Sequence, residues 1–223
     1  MSGDVILPNV SHCVEENEVH YNPYIPQPTW GTVDLELPSG TLWATMNVGA
    51  TSETDYGLHF AWGDTQGYTA SQVGTGSGQK AFDWNDYVHG TESNLTKYNS
   101  TDGLTTLELS DDAAYNLSNG QYITPTREQF EELIANTTSS WDSTRNGYTF
   151  TSKVNGNSLF FPSAGYCCDT DSAGGIGSFG CYWTSSLSST IKNAWSLYFD
   201  SRGTGVNGDE RCYGNSVRGV LKQ

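Results

Sequence analysis

Apolar and polar residues alternate most clearly near the end of the chain, where Trp195, Leu197 and Phe199 are separated by Ser196, Tyr198 and Asp200. A period of two predicts a strand with one buried and one open face. The same period over Val33–Leu37 predicts an early strand, the Pro38-Ser39-Gly40 turn ends it, and Thr41–Ala44 follows as a second. Tyr148–Thr151 and Ser158–Phe161 read as strands around an Asn155-Gly156 turn. Helical spacing occurs after Pro125, where Phe130, Leu133 and Ile134 form an apolar stripe and Thr126 with Gln129 fits a capping box. A shorter helix is expected over Ser110–Asn116, with Ser110 as N-cap and Asp111-Asp112 at its positive end. Residues 64–103 read as irregular chain, and His59 falls in an apolar run that places it in or beside the core. The segment Asp200–Tyr213, rich in Gly and small polar residues, reads as a loop surface with Asn207-Gly208 as a hairpin turn. Without βαβ alternation, these elements make an α+β domain.

Composition sharpens this picture. The chain has 223 residues with 25 Gly and abundant aromatics, which suits a loop-rich fold with a real core. Residues 1–30 differ: three prolines in Pro23–Pro28 favour an extended path, read as an arm or attachment segment before a domain over 31–223. Ten Lys and Arg against 25 Asp and Glu give a net charge of −15, which disfavours nucleic acid and anionic membrane surfaces as partners. No run approaches the roughly 18–20 apolar residues of a membrane span, so no membrane insertion is expected. The first residues, Met1-Ser2-Gly3-Asp4-Val5, carry no signal-peptide pattern.

Candidate chemistry is sparse. His12, His20, His59 and His89 show no metal-ligand spacing, and Trp84-Asn85-Asp86 is a weak calcium signal, so neither metal nor cofactor is expected. Cys167, Cys168, Cys181 and Cys212 fit neither a disulfide framework nor a zinc site and read as free thiols. A reactive Cys212 beside Arg211 would still need a base that no His is placed to supply.

An ordered set of motifs resembles a known group. Val33–Ala44 with Asn47-Val48-Gly49-Ala50 is similar to the opening of bacterial domains with the C-type lectin fold, relatives of the formylglycine-generating enzyme. Phe60-Ala61-Trp62-Gly63, Pro125–Phe130, Gly156–Tyr166, Tyr182-Trp183-Thr184-Ser185-Ser186, Asn193-Ala194-Trp195 and Ser216-Val217-Arg218 continue the resemblance over about residues 31–222. Between these aromatics, residues 163–215 resemble the variable region of proteins diversified by retroelements. Such elements mutate adenines and leave Asn, Tyr, Asp, Ser, Gly, Cys, Phe and Arg at surface positions. Residues 163–215 contain no Gln and no Met, and exposed cysteines would be a by-product, while Lys192 and Glu210 lie outside the pattern.

The resemblance implies a non-enzymatic binding protein whose C-terminal face meets varying protein or glycan targets on a cell surface. Its expected contacts are Asp169, Asp171, Phe179, Ser196, Tyr198, Asp200, Arg202, Asn207, Asp209 and Tyr213, with Tyr198, Arg202 and Tyr213 as anchors. A phage particle or a bacterial cell surface is the implied location, and a homo-oligomer is compatible with either. The competing implication is an enzyme of the formylglycine-generating-enzyme fold acting through Cys167, Cys168 or Cys212.

Overall fold

The longest strands come from the last third of the chain, and their register decides where every candidate side chain points. In the computed structural model, which describes residues 30–169 and 171–223, Phe179–Leu187, Asn193–Asp200 and Gly203–Glu210 run antiparallel. Asn215–Ser216 adds parallel to the Phe179–Leu187 strand, and His59–Phe60 completes a five-stranded sheet. The pairs Tyr182↔Leu197 and Gly180↔Phe199 put Tyr182, Leu197 and Phe199 on one face. That face is fully buried in a cluster with Trp43, Phe130, Leu133, Phe150 and Phe161. Each aromatic buried this way contributes about 1.5–3 kcal/mol, so this inner face carries much of the stability.

Two α-helices are present among the described residues, α1 at Ala113–Leu117 and α2 at Arg127–Asn136. Thr126 and Gln129 form the expected capping box of α2, and its stripe seats Phe130 and Leu133 in the core with Ile134 at the margin. The α1 N-cap is Asp112, not Ser110: its carboxylate accepts from Tyr115 N (3.1 Å), while Leu109–Asp111 forms a separate 3-10 turn. Asp112 prevails because its two oxygens also take Thr124 N (2.8 Å) and Thr124 Oγ1 (2.7 Å), a long-range anchor the local pattern does not show.

Thr137–Asp142, Gly147–Ser152 and Ser158–Pro162 form a three-stranded sheet over the core. A four-stranded sheet in the order Thr32–Asp34, Leu42–Ala44, Val220–Leu221, Tyr122–Ile123 joins the start of the domain to its end. The first strand is shorter than its alternation predicts, ending at Asp34, yet Leu35 and Leu37 still reach the core. The fold is therefore α+β, mostly strands in several sheets with two helices. The proposed arm over residues 1–30 lies outside the described residues apart from Trp30, which packs against Tyr122.

The segment after Asp200 corrects the loop expectation. Gly203–Glu210 is a continuous strand, and Asn207-Gly208 sits inside its ladder opposite Ser196 and Trp195. The turn falls earlier, at Ser201-Arg202, where Asp200 Oδ1 accepts from Arg202 N (2.7 Å). This side-chain turn sets the register, and eight consecutive pairs from Asn193↔Glu210 to Asp200↔Gly203 outweigh the turn preference of Asn-Gly.

Several motif residues meet in one buried network. Arg218 Nε and Nη2 donate to Asn47 Oδ1 (3.0 and 2.7 Å), and Arg218 Nη1 donates to Ala44 O (3.2 Å). Asn47 Nδ2 donates to Tyr56 O (2.9 Å) and to the Tyr182 hydroxyl (3.0 Å), which in turn donates to Pro162 O (2.5 Å). Segments far apart in sequence are thereby fixed under the sheet that carries the outer face.

Candidate ligand-binding surface

On the face opposite that cluster, the strand register sets Phe179 beside Asp200, Cys181 beside Tyr198 and Trp183 beside Ser196. The Trp183 end is buried in a second apolar cluster, while Phe179, Tyr198 and Asp200 are half-buried. Across the next strand, Asp200 and Tyr198 face Gly203 and Gly205. A Cβ added at either glycine meets nothing within 4 Å, so the surface next to Tyr198 is open.

Four half-buried aromatic rings form a row that begins on this face with Tyr198 and Phe179. It continues onto Tyr166, in the Tyr166–Cys168 strand of a separate two-stranded sheet, and Tyr213, in the connection before Asn215. Tyr213 lies 5.7 Å from Tyr166, Tyr166 lies 5.7 Å from Phe179, and Phe179 lies 5.8 Å from Tyr198, centroid to centroid. Their planes are inclined by only 31–36° to one another, so the rings make one gently tilted ridge. Backbone holds the ridge. Cys167 and Gly214 exchange two hydrogen bonds of 2.8 Å, tying the Tyr213 segment to the Tyr166 strand, and Gly165 N donates to Phe179 O (2.9 Å). Phe82 and Asp169 exchange bonds of 2.8 and 3.0 Å, which places the 81–87 loop as a prop at the Tyr213 end. Trp84 Nε1 completes the prop by donating to Glu210 Oε2 (3.0 Å).

Polar groups close both ends. The Tyr198 hydroxyl donates to Asp200 Oδ2 (2.9 Å), and Arg202 Nε and Nη2 donate to the same oxygen (3.0 and 2.6 Å). Those bonds from Arg202 hold the Asp200 carboxyl down to about 2, while the guanidinium itself is 85% exposed. Burial, then Asp200, pushes the Tyr198 phenol up. At the other end Cys168 lies between Tyr213 and Asp169, with its thiol 3.6 Å from Asp169 Oδ2. Asp169 is exposed and holds φ +53°, a left-handed conformation that Asp tolerates. Burial first, then the neighbouring Cys168 and Glu210 groups, raise the Tyr213 phenol.

The structure brings Phe179, Tyr198, Asp200, Arg202 and Tyr213 together on one surface, with Asp169 at its edge. Asn207 is exposed on the outer strand. Asp171 takes its place in the Asp171–Gly174 strand that pairs with Tyr166–Cys168. Ser196 corrects the outward expectation. It shares the parity of Tyr198 but is fully buried, because Asp209 Oδ2 accepts both its hydroxyl (2.6 Å) and Asn215 Nδ2 (3.0 Å). The Ser196–Asp209 pair is thus a support under the face, not a contact point. Tyr166 was not among the expected contacts, although it is the ring that joins Phe179 to Tyr213. Its signal was its place at the end of the Gly156–Tyr166 motif.

The described cysteines are free thiols, as expected, but are not the exposed ones that diversification would leave: Cys167, Cys181 and Cys212 are buried and Cys168 is half-exposed. Burial raises the thiol pKa of Cys168, Cys181 and Cys212, with the neighbouring Glu210 charge adding to the effect at Cys212. His59 is buried with Nε2 3.0 Å from Ala164 O, and burial lowers its pKa.

Comparison with protein-family models, with curated proteins and with solved structures returned no significant match. Among the described residues no helix is long and apolar enough to cross a membrane.

Proposed function

We propose that this chain is a ligand-binding protein of the C-type lectin fold whose C-terminal sheet face is diversified by a retroelement to recognise varying targets. The observation that carries the reading is the half-exposed row Tyr213–Tyr166–Phe179–Tyr198, whose last two rings stand on a sheet with the main core on its other face and whose first two continue it from neighbouring segments. Rigid aromatics offer contact area at low entropic cost, and Asp169, Asp200, Arg202 and Asn207 around them offer adaptable hydrogen bonds, the division of labour seen in paratopes. The network of Arg218, Asn47, Tyr182 and Pro162 supports the lectin-type resemblance, because it unites four of the motif segments on which that resemblance rests. The partner is a protein or glycan on a cell surface, met by a phage particle or by a bacterial surface. Burial that raises the Cys168 and Cys212 thiols favours binding over catalysis by those two, since the thiolate is the nucleophile.

Sequencing the gene and its neighbourhood from many cells or particles of one population tests the diversification. Differences clustered at Phe179, Tyr198, Asp200, Arg202, Asn207 and Tyr213, beside a near-copy template and a reverse transcriptase gene, are expected. A uniform sequence with no template nearby contradicts it.

A further inference from the structure

The aromatic ridge is set in acidic surroundings, and that selects one kind of occupant. Asp200 touches Tyr198 at one end, Glu210 acts on Tyr213 at the other, and Asp169 stands exposed beside Cys168. Asp209, opposite Ala194 on the outer strand, is held by Ser196 and Asn215. Among the described residues Arg202 is the cation of this face, and Asp200 already takes up its charge. Neighbouring cations are spoken for: Lys192 pairs with Glu92, and Arg211 is fully buried and donates to Tyr87, Tyr98, Ile191 and Lys97 oxygens.

Electron-rich ring faces attract ammonium and guanidinium groups, and carboxylates at the rim steer and retain the same groups. Among the described residues no cation pairs with Asp169 or Glu210, so an anionic partner would instead meet their charges at the Tyr213 end of the ridge. We infer that the occupant of the ridge is a basic protein segment, presenting Lys or Arg side chains over Tyr166, Phe179, Tyr198 and Tyr213 with their charges directed to Asp169, Asp200 and Glu210. This rests on the ligand-binding reading above and narrows it to protein targets with a cationic epitope.

The test pans a displayed random-peptide library on the immobilised full chain at physiological salt and reads the charge of the enriched sequences. The best peptide is then titrated against three proteins whose folding is verified by thermal melting. These are the wild type, the charge-neutralised Asp169→Asn/Asp200→Asn/Glu210→Gln variant, and Tyr198→Ala/Tyr213→Ala. The amide replacements keep the turn at Asp200, the left-handed residue at 169 and the bond from Trp84. Enrichment of Lys- and Arg-rich peptides is expected, with binding weakened roughly tenfold or more in each variant. Acetylating the peptide lysines removes their charge without altering the protein, and the same loss is expected there.

Basic peptides that bind the Tyr198→Ala/Tyr213→Ala variant as well as the wild type would be reporting only the bulk field of an acidic chain, and would overturn the inference. Enrichment of acidic or uncharged peptides that depends on the two tyrosines would overturn it too, while leaving the ligand-binding reading in place. Absence of any tyrosine-dependent enrichment would overturn both.

Discussion

Replacing Arg218 with Met probes the network beneath the candidate face. Arg218 is fully buried, burial pushes its guanidinium down to about 10, and it lies 4.5 Å over the Phe161 ring. Met retains an apolar stem over that ring but donates nothing. Asn47 Oδ1, itself inaccessible, then loses both of its donors, which costs about 1–3 kcal/mol for the orphaned oxygen. Loss of the bond to Ala44 O and of the contact with Phe161 adds about 1–2 kcal/mol, and relief from burying a cation offsets part of it. The expected net destabilisation is about 2–4 kcal/mol, or roughly 4–16 °C in Tm for a domain of this size. Urea and thermal unfolding of Arg218→Met, Asn47→Leu and the double variant read it as a cycle. The double variant should recover at least about 1 kcal/mol relative to the sum of the singles, because it removes the Arg218 charge together with the Asn47 oxygen that it satisfies. A single-variant cost below about 0.5 kcal/mol, or additivity within that margin, would refute the claim that these two residues act as one unit.

Other predictions follow from the two faces of the sheet. Gly180→Ala places a Cβ 2.3 Å from the Phe199 ring, so it should destabilise by about 1–3 kcal/mol in the same unfolding assay, and an unchanged midpoint would contradict the register. Arg202→Ala should return the Asp200 carboxyl from about 2 towards the ordinary Asp range near 3.9, followed by carboxyl NMR. With a depressed folded pKa, this pair contributes to stability above about pH 4 and loses that contribution as pH falls towards 2, so a carboxyl still near 2 in the variant would exclude Arg202 as the cause. Thiol alkylation with peptide mapping should modify Cys168 slowly in the folded chain, and Cys181 and Cys212 only on unfolding; early labelling of Cys212 would contradict its burial.

Much of the scaffold is legible locally. The capping box of Thr126 and Gln129, the stripe of Phe130 and Leu133, and the strand 193–200 each follow from spacings within a few residues, and tertiary packing agrees with them. The outer strand Gly203–Glu210 is not legible, because Gly and Asn disfavour strands and only the ladder to Asn193–Asp200 overrides that preference. Ser196 has the parity of an outward residue, and its burial depends on Asp209 of the neighbouring strand, whose carboxylate it shares with Asn215. The ridge is the same kind of case: Tyr166, Phe179, Tyr198 and Tyr213 come from four separate segments, and no local pattern announces that their rings meet.

Randomising Phe179, Tyr198, Asp200, Arg202, Asn207 and Tyr213 together, displaying the library and sorting it for folding and for binding to one chosen protein target, tests most directly the claim that a fixed core carries a replaceable binding face. The account predicts that most members stay folded and that binders emerge with their changes at these positions. A matching library at the exposed strand positions Thr138, Ser139 and Ser140 should yield none. General loss of folding in the first library, or equal recovery of binders from the second, would contradict it.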